Sequence, residues 1–238
     1  MITQIPVKIQ VKICGLTKID EAQKIAALGV NAIGFVFYPK SNRNISVEKA
    51  KKIQRSLPSK VSCVGVFVDE PFSSIMQKVN DCHLDAVQLH GNETKEMVSK
   101  LRKENLNVIK ALYVTGDPNI KNAKEYGASS CLVECCPGKL PGGNARSWNW
   151  GKSRSFKTGT PLILAGGLTP DNIEEAVLSC TPDAVDISSG VEISPGNKDI
   201  LKVQHLLKNL TSAFKKINPN SKNKIRTVFY DKSKKKSG

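Results

Sequence analysis

The chain has 238 residues, of which 39% are hydrophobic and 24% charged, and a formal net charge of +15. That apolar share is enough for a core and excludes wholesale disorder, while no apolar run approaches the roughly 20 residues that cross a bilayer. The N-terminus, MITQIPVKIQVKICG, lacks the basic flank, long apolar core and cleavage site of a signal peptide. A soluble, cytoplasmic globular protein without membrane contacts is expected.

Short β-branched runs recur along the chain, each ending in small or polar residues. In order they are VKICG (11–15), AIGFVF (32–37), SCVGVFVD (62–69), AVQLHG (86–91), NVIKALYV (107–114), CLVEC (131–135), PLILAGG (161–167) and AVDISSG (184–190). Amphipathic stretches lie between them, such as TKIDEAQKIAALG, SVEKAKKIQRSL, TKEMVSKLRKE and TPDNIEEAVLSC. Several open with Ser or Thr followed by an acidic residue, as a helix N-terminus prefers. Successive strands start 21 to 30 residues apart, the length of one strand, one helix and two loops. Eight such units predict a single (β/α)8 barrel of class α/β, with nearly continuous apolar strands suited to a covered parallel sheet. An open doubly wound sheet needs no eighth unit, and no dinucleotide glycine fingerprint is present. After strand six, PGKLPGGNARSWNWGKSRSF has little helical periodicity and is read as a functional loop with a short helix.

The barrel is expected over residues 1–214, with 215–238 as a flexible basic tail. More than half of the net charge lies in this tail, which holds eight Lys and one Arg against one Asp. Such a segment could touch a polyanion, but no aromatic interleaving or nucleic-acid module accompanies it. A solvated extension is the expectation, nucleic acid is not an expected partner, and Phe229 and Tyr230 are the exceptions that could pack. Seven cysteines, an odd number without a disulfide framework, imply reduced thiols. Cys131, Cys135 and Cys136 form no C-x-x-C pair and have no nearby His, so no metal is expected.

Barrels of this type place their active sites at the C-terminal ends of the strands. That rule selects Cys14, the Arg43 loop, Asp69, His90, Glu134, Gly166 with Gly167, and Asp186 with Ser188, Ser189 and Gly190. The glycine-rich ends of strands seven and eight suit a phosphate dianion, because backbone N–H groups can approach it without a bulky side chain. The same glycines would also serve a tight turn. His90 reads as a hydrogen-bonded residue of the rim and stays outside the catalytic set.

KICG with Cys14, GFVFYPKSNR, VGVFVDE, VQLHGNE, PGGNA, AGGLTPDNI and DISSGVEISPGNKD occur in this order between Val11 and Leu210. In that respect the chain resembles the phosphoribosylanthranilate isomerases. The resemblance implies an Amadori rearrangement in tryptophan biosynthesis, on a small sugar-phosphate substrate, with no metal or organic cofactor. It further implies Cys14 as general base, the carboxylic acid Glu134 as general acid, Arg43 as the anthranilate carboxylate ligand, and Asp186 as a contact to the sugar or amine. Asp186 could equally accept from N–H groups of its own turn. Two positions depart from the family pattern: Glu134 stands where Asp is usual, and Ala145 in GGNA replaces a Gly. Indole-glycerol-phosphate synthase and the tryptophan synthase α subunit are similar phosphate-binding barrels with other acid–base sets. A Schiff-base lyase could instead recruit Lys110. The assembly is expected to be a monomer or a homodimer.

Overall fold

The computed structural model describes residues 9–136, 148–155, 159–217 and 225–230. Eight parallel strands close into a barrel in chain order: β1 (Gln10–Cys14), β2 (Ala32–Val36), β3 (Ser62–Phe67), β4 (Ala86–Leu89), β5 (Asn107–Tyr113), β6 (Ser130–Glu134), β7 (Leu162–Leu164) and β8 (Ala184–Ile187). Closure occurs between β8 and β1, where Lys12 lies opposite Asp186, and on its other side β1 sets Cys14 opposite Gly34 of β2. The helices are α1 (Ile19–Ala27), α2 (Val47–Ser56), α3 (Phe72–Cys82), α4 (Lys95–Lys103), α5 (Ala123–Tyr126), α6 (Ile173–Cys180) and α7 (Ile200–Lys216).

Local signals explain these boundaries. The Ser46 and Thr94 side chains accept from the backbone N–H groups of Lys49 and Met97, capping α2 and α4, whose buried faces are Ala50 with Ile53 and Val98 with Leu101. The sixth unit has a short helix, as expected from its sequence. Its helix is a 3₁₀ segment, Trp150–Ser155, consistent with a sequence of Gly, Lys, Ser and Arg that has no apolar stripe. The preceding loop, with Ala145, lies outside the described residues.

Alternate strand residues divide between two cores. Outward residues such as Val11, Ile13, Phe35, Val87 and Val185 join the helices in the larger one. Inward residues Ala32, Val64, Ala86, Ile109, Leu132, Ile163 and Ala184 form a second cluster inside the barrel.

The expected domain boundary and the free tail both need correction. Helix α7 runs unbroken through residue 214 to Lys216, with Leu210 and Ala213 buried against the barrel. Farther on, residues 225–230 return to the N-terminal mouth, and Val228 and Phe229 join the interior cluster with only 2% and 3% of their surface exposed. Two large apolar side chains in succession are enough to dock a short segment. The Lys-rich residues 231–238 lie outside the described residues.

One buried ion pair stitches the rim between β4 and β5. Lys110 is fully buried, and its ammonium donates to Glu93 Oε2 at 2.9 Å and to the Gly91 carbonyl at 2.8 Å. Burial pulls the Lys110 pKa below the ordinary lysine value, and Glu93 is the main influence opposing that shift. Glu93→Ala should therefore destabilise the barrel by about 3 kcal/mol, as removal of one partner of a buried pair does. Adding Lys110→Met should recover part of that loss in urea denaturation. Equal losses in the single and double variants would contradict the pairing.

Candidate active site

A cleft opens at the C-terminal ends of the strands, lined among others by Cys14, Arg43, Gln88, His90, Glu134, Gly166, Gly167, Asp186, Ser188 and Ser189. The structure thus brings the sequence-selected residues together, with two exceptions. Gly190 lies behind the surface: a Cβ there would sit 1.8 Å from the Leu168 carbonyl oxygen. That contact locks the AGGL turn against the SSG turn, so Gly190 is required by close backbone approach. Asp69 ties loops together, accepting from the Asn92 backbone N–H at 2.7 Å, and does not line the cleft.

Other glycines of the motifs are also explained by space. A Cβ on Gly34 would lie 2.7 Å from Cys14 Sγ, and one on Gly15 would lie 2.6 Å from the Arg43 side chain. β2 thus leaves room for the thiol, while the left-handed Gly15 (φ +80°) lets the arginine stem cross the end of β1. Gly166 and Gly167 also have positive φ, +85° and +67°. The Trp148 indole N–H donates to the Ala165 carbonyl at 3.2 Å, holding this turn open toward the cleft.

The floor of the cleft is a hydrogen-bonded chain of charged and polar groups. Lys12, fully buried, donates to Asp186 Oδ2 at 2.7 Å and to Gln88 Oε1 at 3.0 Å. An ammonium can only donate, so the Gln88 amide is oriented with Nε2 toward His90 Nδ1, 2.8 Å away. His90 Nδ1 is then the acceptor, which places the ring proton on Nε2. That atom is buried without a hydrogen-bond partner and lies 3.8 Å from Glu134 Oε2. Asp186 Oδ1 is likewise buried and without a partner. Among the described residues Asp186 accepts from Lys12 and takes no N–H of its own turn, which removes the turn-holding alternative.

Arg43 reaches the cleft with its fork already gripped. Its Nε and Nη2 donate to the two carboxylate oxygens of Glu192 at 2.9 and 2.6 Å, and Lys198 donates to Glu192 Oε1 at 2.6 Å. Burial raises the Glu192 pKa, but Arg43 and Lys198 outweigh it and hold the carboxyl below its ordinary value. Lys198 also donates to the Ser188 carbonyl at 3.1 Å, and the Ser188 hydroxyl to the Cys14 carbonyl at 3.1 Å. The rim after β8 is therefore bonded directly to the end of β1. Lys110, the Schiff-base alternative, does not line the cleft, and its ammonium is committed to Glu93 and backbone carbonyls. Among the described residues no group of three or more His, Cys, Asp or Glu could hold a metal.

A family model for N-(5′-phosphoribosyl)anthranilate isomerase matches residues 11–209. The chain belongs to this isomerase family. A relative from Desulfatibacillum aliphaticivorans, named N-(5′-phosphoribosyl)anthranilate isomerase, is 46% identical over 203 residues, covering 85% of this chain and 93% of its own. The crystal structure of the Thermotoga maritima isomerase is 37% identical, with a TM-score of 0.79 and coverage of 86% and 99%. A crystal structure of an isomerase in complex with reduced 1-(o-carboxyphenylamino)-1-deoxyribulose 5-phosphate is 37% identical, with a TM-score of 0.76 and the same coverage. The activity of this isomerase is the Amadori rearrangement of N-(5-phosphoribosyl)anthranilate to 1-(2-carboxyphenylamino)-1-deoxyribulose 5-phosphate in tryptophan biosynthesis.

Within the isomerase cleft the thiol and the ammonium beside it influence one another. Burial raises the Cys14 pKa; Lys12 opposes this, Asp186 adds to it, and the net shift is upward. Burial works against the Lys12 charge, yet Asp186 and Cys14 outweigh it, so the ammonium persists above the ordinary lysine pKa. A base with a raised pKa is less ionised at neutral pH. If Cys14 is that base, Cys14→Ser should lower kcat/KM by a factor of about 10² or more at every pH between about 7 and 9, because a hydroxyl is far less acidic than a thiol. Near-normal activity in Cys14→Ser would contradict a Cys14 base.

Proposed function

We propose that Cys14 and Glu134 perform the two proton transfers of this isomerisation, with Arg43 and Asp186 orienting the substrate and the two glycine turns binding its phosphate. The observation carrying this reading is the placement of Cys14, Glu134, Arg43 and Asp186 around one cleft that the glycine and serine turns after β7 and β8 also line. The reaction needs an acid and a base that act on different atoms. Glu134 protonates the furanose ring oxygen, and the ring opens to a Schiff base. The Cys14 thiolate then removes the proton at C2′, giving an enolamine that tautomerises to the ketone. The Lys12 ammonium beside Cys14 favours the thiolate electrostatically at the moment of proton abstraction.

Arg43 holds the anthranilate carboxylate with the Nη1 side of its guanidinium, because Nε and Nη2 are occupied by Glu192. A pre-oriented fork loses little freedom on binding. Asp186 Oδ1, buried and without a partner, accepts from the substrate amine or a sugar hydroxyl. The phosphate sits between Gly166–Gly167, both with positive φ, and Ser188–Ser189, with Gly190 behind them locking the two turns together. No metal or organic cofactor is needed, since each step is a proton transfer. The working assembly is a monomer or homodimer, every assigned residue coming from one chain. The cytoplasm is its compartment; the seven cysteines, none of them in a disulfide, suit a reducing environment.

The deciding experiment generates phosphoribosylanthranilate in situ and follows the loss of its fluorescence. Glu134→Gln should lower kcat by a factor of about 10² or more, because an amide cannot supply the proton, whereas Glu134→Asp should keep measurable turnover. Normal turnover in Glu134→Gln would move the acid elsewhere, and His90, whose Nε2 lies 3.8 Å from Glu134, is then the nearest donor. Arg43→Ala should raise KM for the anthranilate-bearing substrate far more than it weakens binding of a ribulose phosphate lacking the ring. Equal weakening of both ligands would place the carboxylate elsewhere.

A further inference from the structure

The N-terminal mouth of the barrel, opposite the catalytic cleft, carries a second set of converging polar groups. Gln10 of β1, Ser62 of β3 and Asn107 of β5 come from alternate strands, the arrangement by which barrels build an interior layer. Above them the interior residues Ala32, Ala86 and Ala184 of the even strands are small, leaving a hollow lined by apolar side chains. A polar ring around an apolar hollow suits an extended peptide that inserts a large side chain and offers its backbone to the ring.

Residues 225–230, IRTVFY, meet that description. Gln10 Oε1 accepts from the backbone N–H groups of Val228 and Phe229 at 2.6 and 2.9 Å, and Gln10 Nε2 donates to the Phe229 carbonyl at 2.7 Å. Asn107 Nδ2 donates to the Val228 carbonyl at 2.8 Å, and Ser62 Oγ to the Tyr230 carbonyl at 2.9 Å. Val228 and Phe229 fill the hollow, while Tyr230 stays largely exposed. At one end of the segment, the Arg226 guanidinium is paired with Asp183, Nη2 to Oδ2 at 2.7 Å, and the Arg226 backbone N–H donates to Asp183 Oδ1 at 2.7 Å. Asp183 is itself 6% exposed and anchored to the Leu162 N–H.

We infer that the N-terminal mouth is a peptide-binding site whose occupant is this chain's own C-terminal segment, recognised as Arg-x-Val-Phe through Asp183, the polar ring and the apolar hollow. The segment lies beyond residue 209, where the family match ends, so the site is an addition to the isomerase barrel. Recognition combines backbone bonds, which any sequence could make, with three sequence-dependent contacts: the charge of Arg226 and the bulk of Val228 and Phe229. The hollow without its occupant is an uncovered apolar surface at the barrel floor. The occupant is joined to α7 by a short connection and is therefore present at high effective concentration.

The site is tested by separating the two parts. Deleting residues 218–238 should lower Tm by roughly 5 °C or more, as loss of two buried apolar side chains requires. A synthetic peptide spanning residues 224–231 should restore Tm saturably, and a scrambled peptide should not. Isomerase kcat/KM should stay within about twofold in every state that remains folded, since the cleft is at the other end of the barrel. A truncated chain with the Tm of the intact one, or one that is folded yet indifferent to the peptide, overturns the assignment. If the truncated chain does not fold, full-length Phe229→Asp supplies the same comparison. In the intact chain the amides of Val228 and Phe229 should exchange slowly because Gln10 accepts from both; exchange at the rate of an unstructured peptide overturns the assignment as well.

Discussion

The constraint on which the catalytic end depends is the charge of Lys12. Its ammonium sits inside the barrel with no exposed surface, where an unpaired charge would cost several kcal/mol. Satisfying it fixes Asp186 Oδ2 directly and dictates the orientation of the Gln88 amide. That orientation in turn decides which nitrogen of His90 faces the cleft. The thiol of Cys14 feels the same cation. Three strands, β1, β4 and β8, are thus coupled through one side chain, and the groups lining the cleft inherit their geometry from a structural necessity. This also explains why Asp186 does not hold its own turn: the stronger claim on its carboxylate is the buried ammonium.

Much of this architecture is legible in the sequence, for reasons that can be named. The spacing of β-branched runs predicts the barrel because each unit needs one strand and one covering helix. Cys14, Glu134 and Asp186 are recognisable because the ends of barrel strands converge on one cleft. The partners of these groups are not recognisable in the same way. Lys12 is an isolated cation in an apolar strand, and nothing local indicates that Asp186, 174 positions away, faces it. Glu192 likewise reads as a surface carboxylate until the fold lays Arg43 across Gly15 and into its reach. Such pairings are set by closure of the barrel, which the local pattern does not encode.

The C-terminal segment misleads for a related reason. Its lysines and asparagines give it the composition of a solvated extension, and composition averages over the two residues that matter. Val228 and Phe229 are informative only beside the small interior residues Ala32, Ala86 and Ala184, whose joint hollow does not exist in one dimension. Gln10 and Ser62 read as ordinary polar residues at strand starts, and their use as acceptor and donor for a returning backbone is visible only in three dimensions. A charge run is therefore weak grounds for a domain boundary when a pair of apolar residues lies within it.

Strand β1 unites both ends of the molecule. Gln10, Lys12 and Cys14 stand two residues apart and face the interior, so each occupies a successive level about 7 Å above the last. Gln10 holds the C-terminal segment, Lys12 closes the middle of the barrel against β4 and β8, and Cys14 opens into the cleft. The middle level is the most constrained of the three, since the Lys12 ammonium is bonded to β4 and β8 at once. Along β1, a displacement at the mouth reaches the thiol through that buried pair, and pulling a buried charge off its partner costs several kcal/mol.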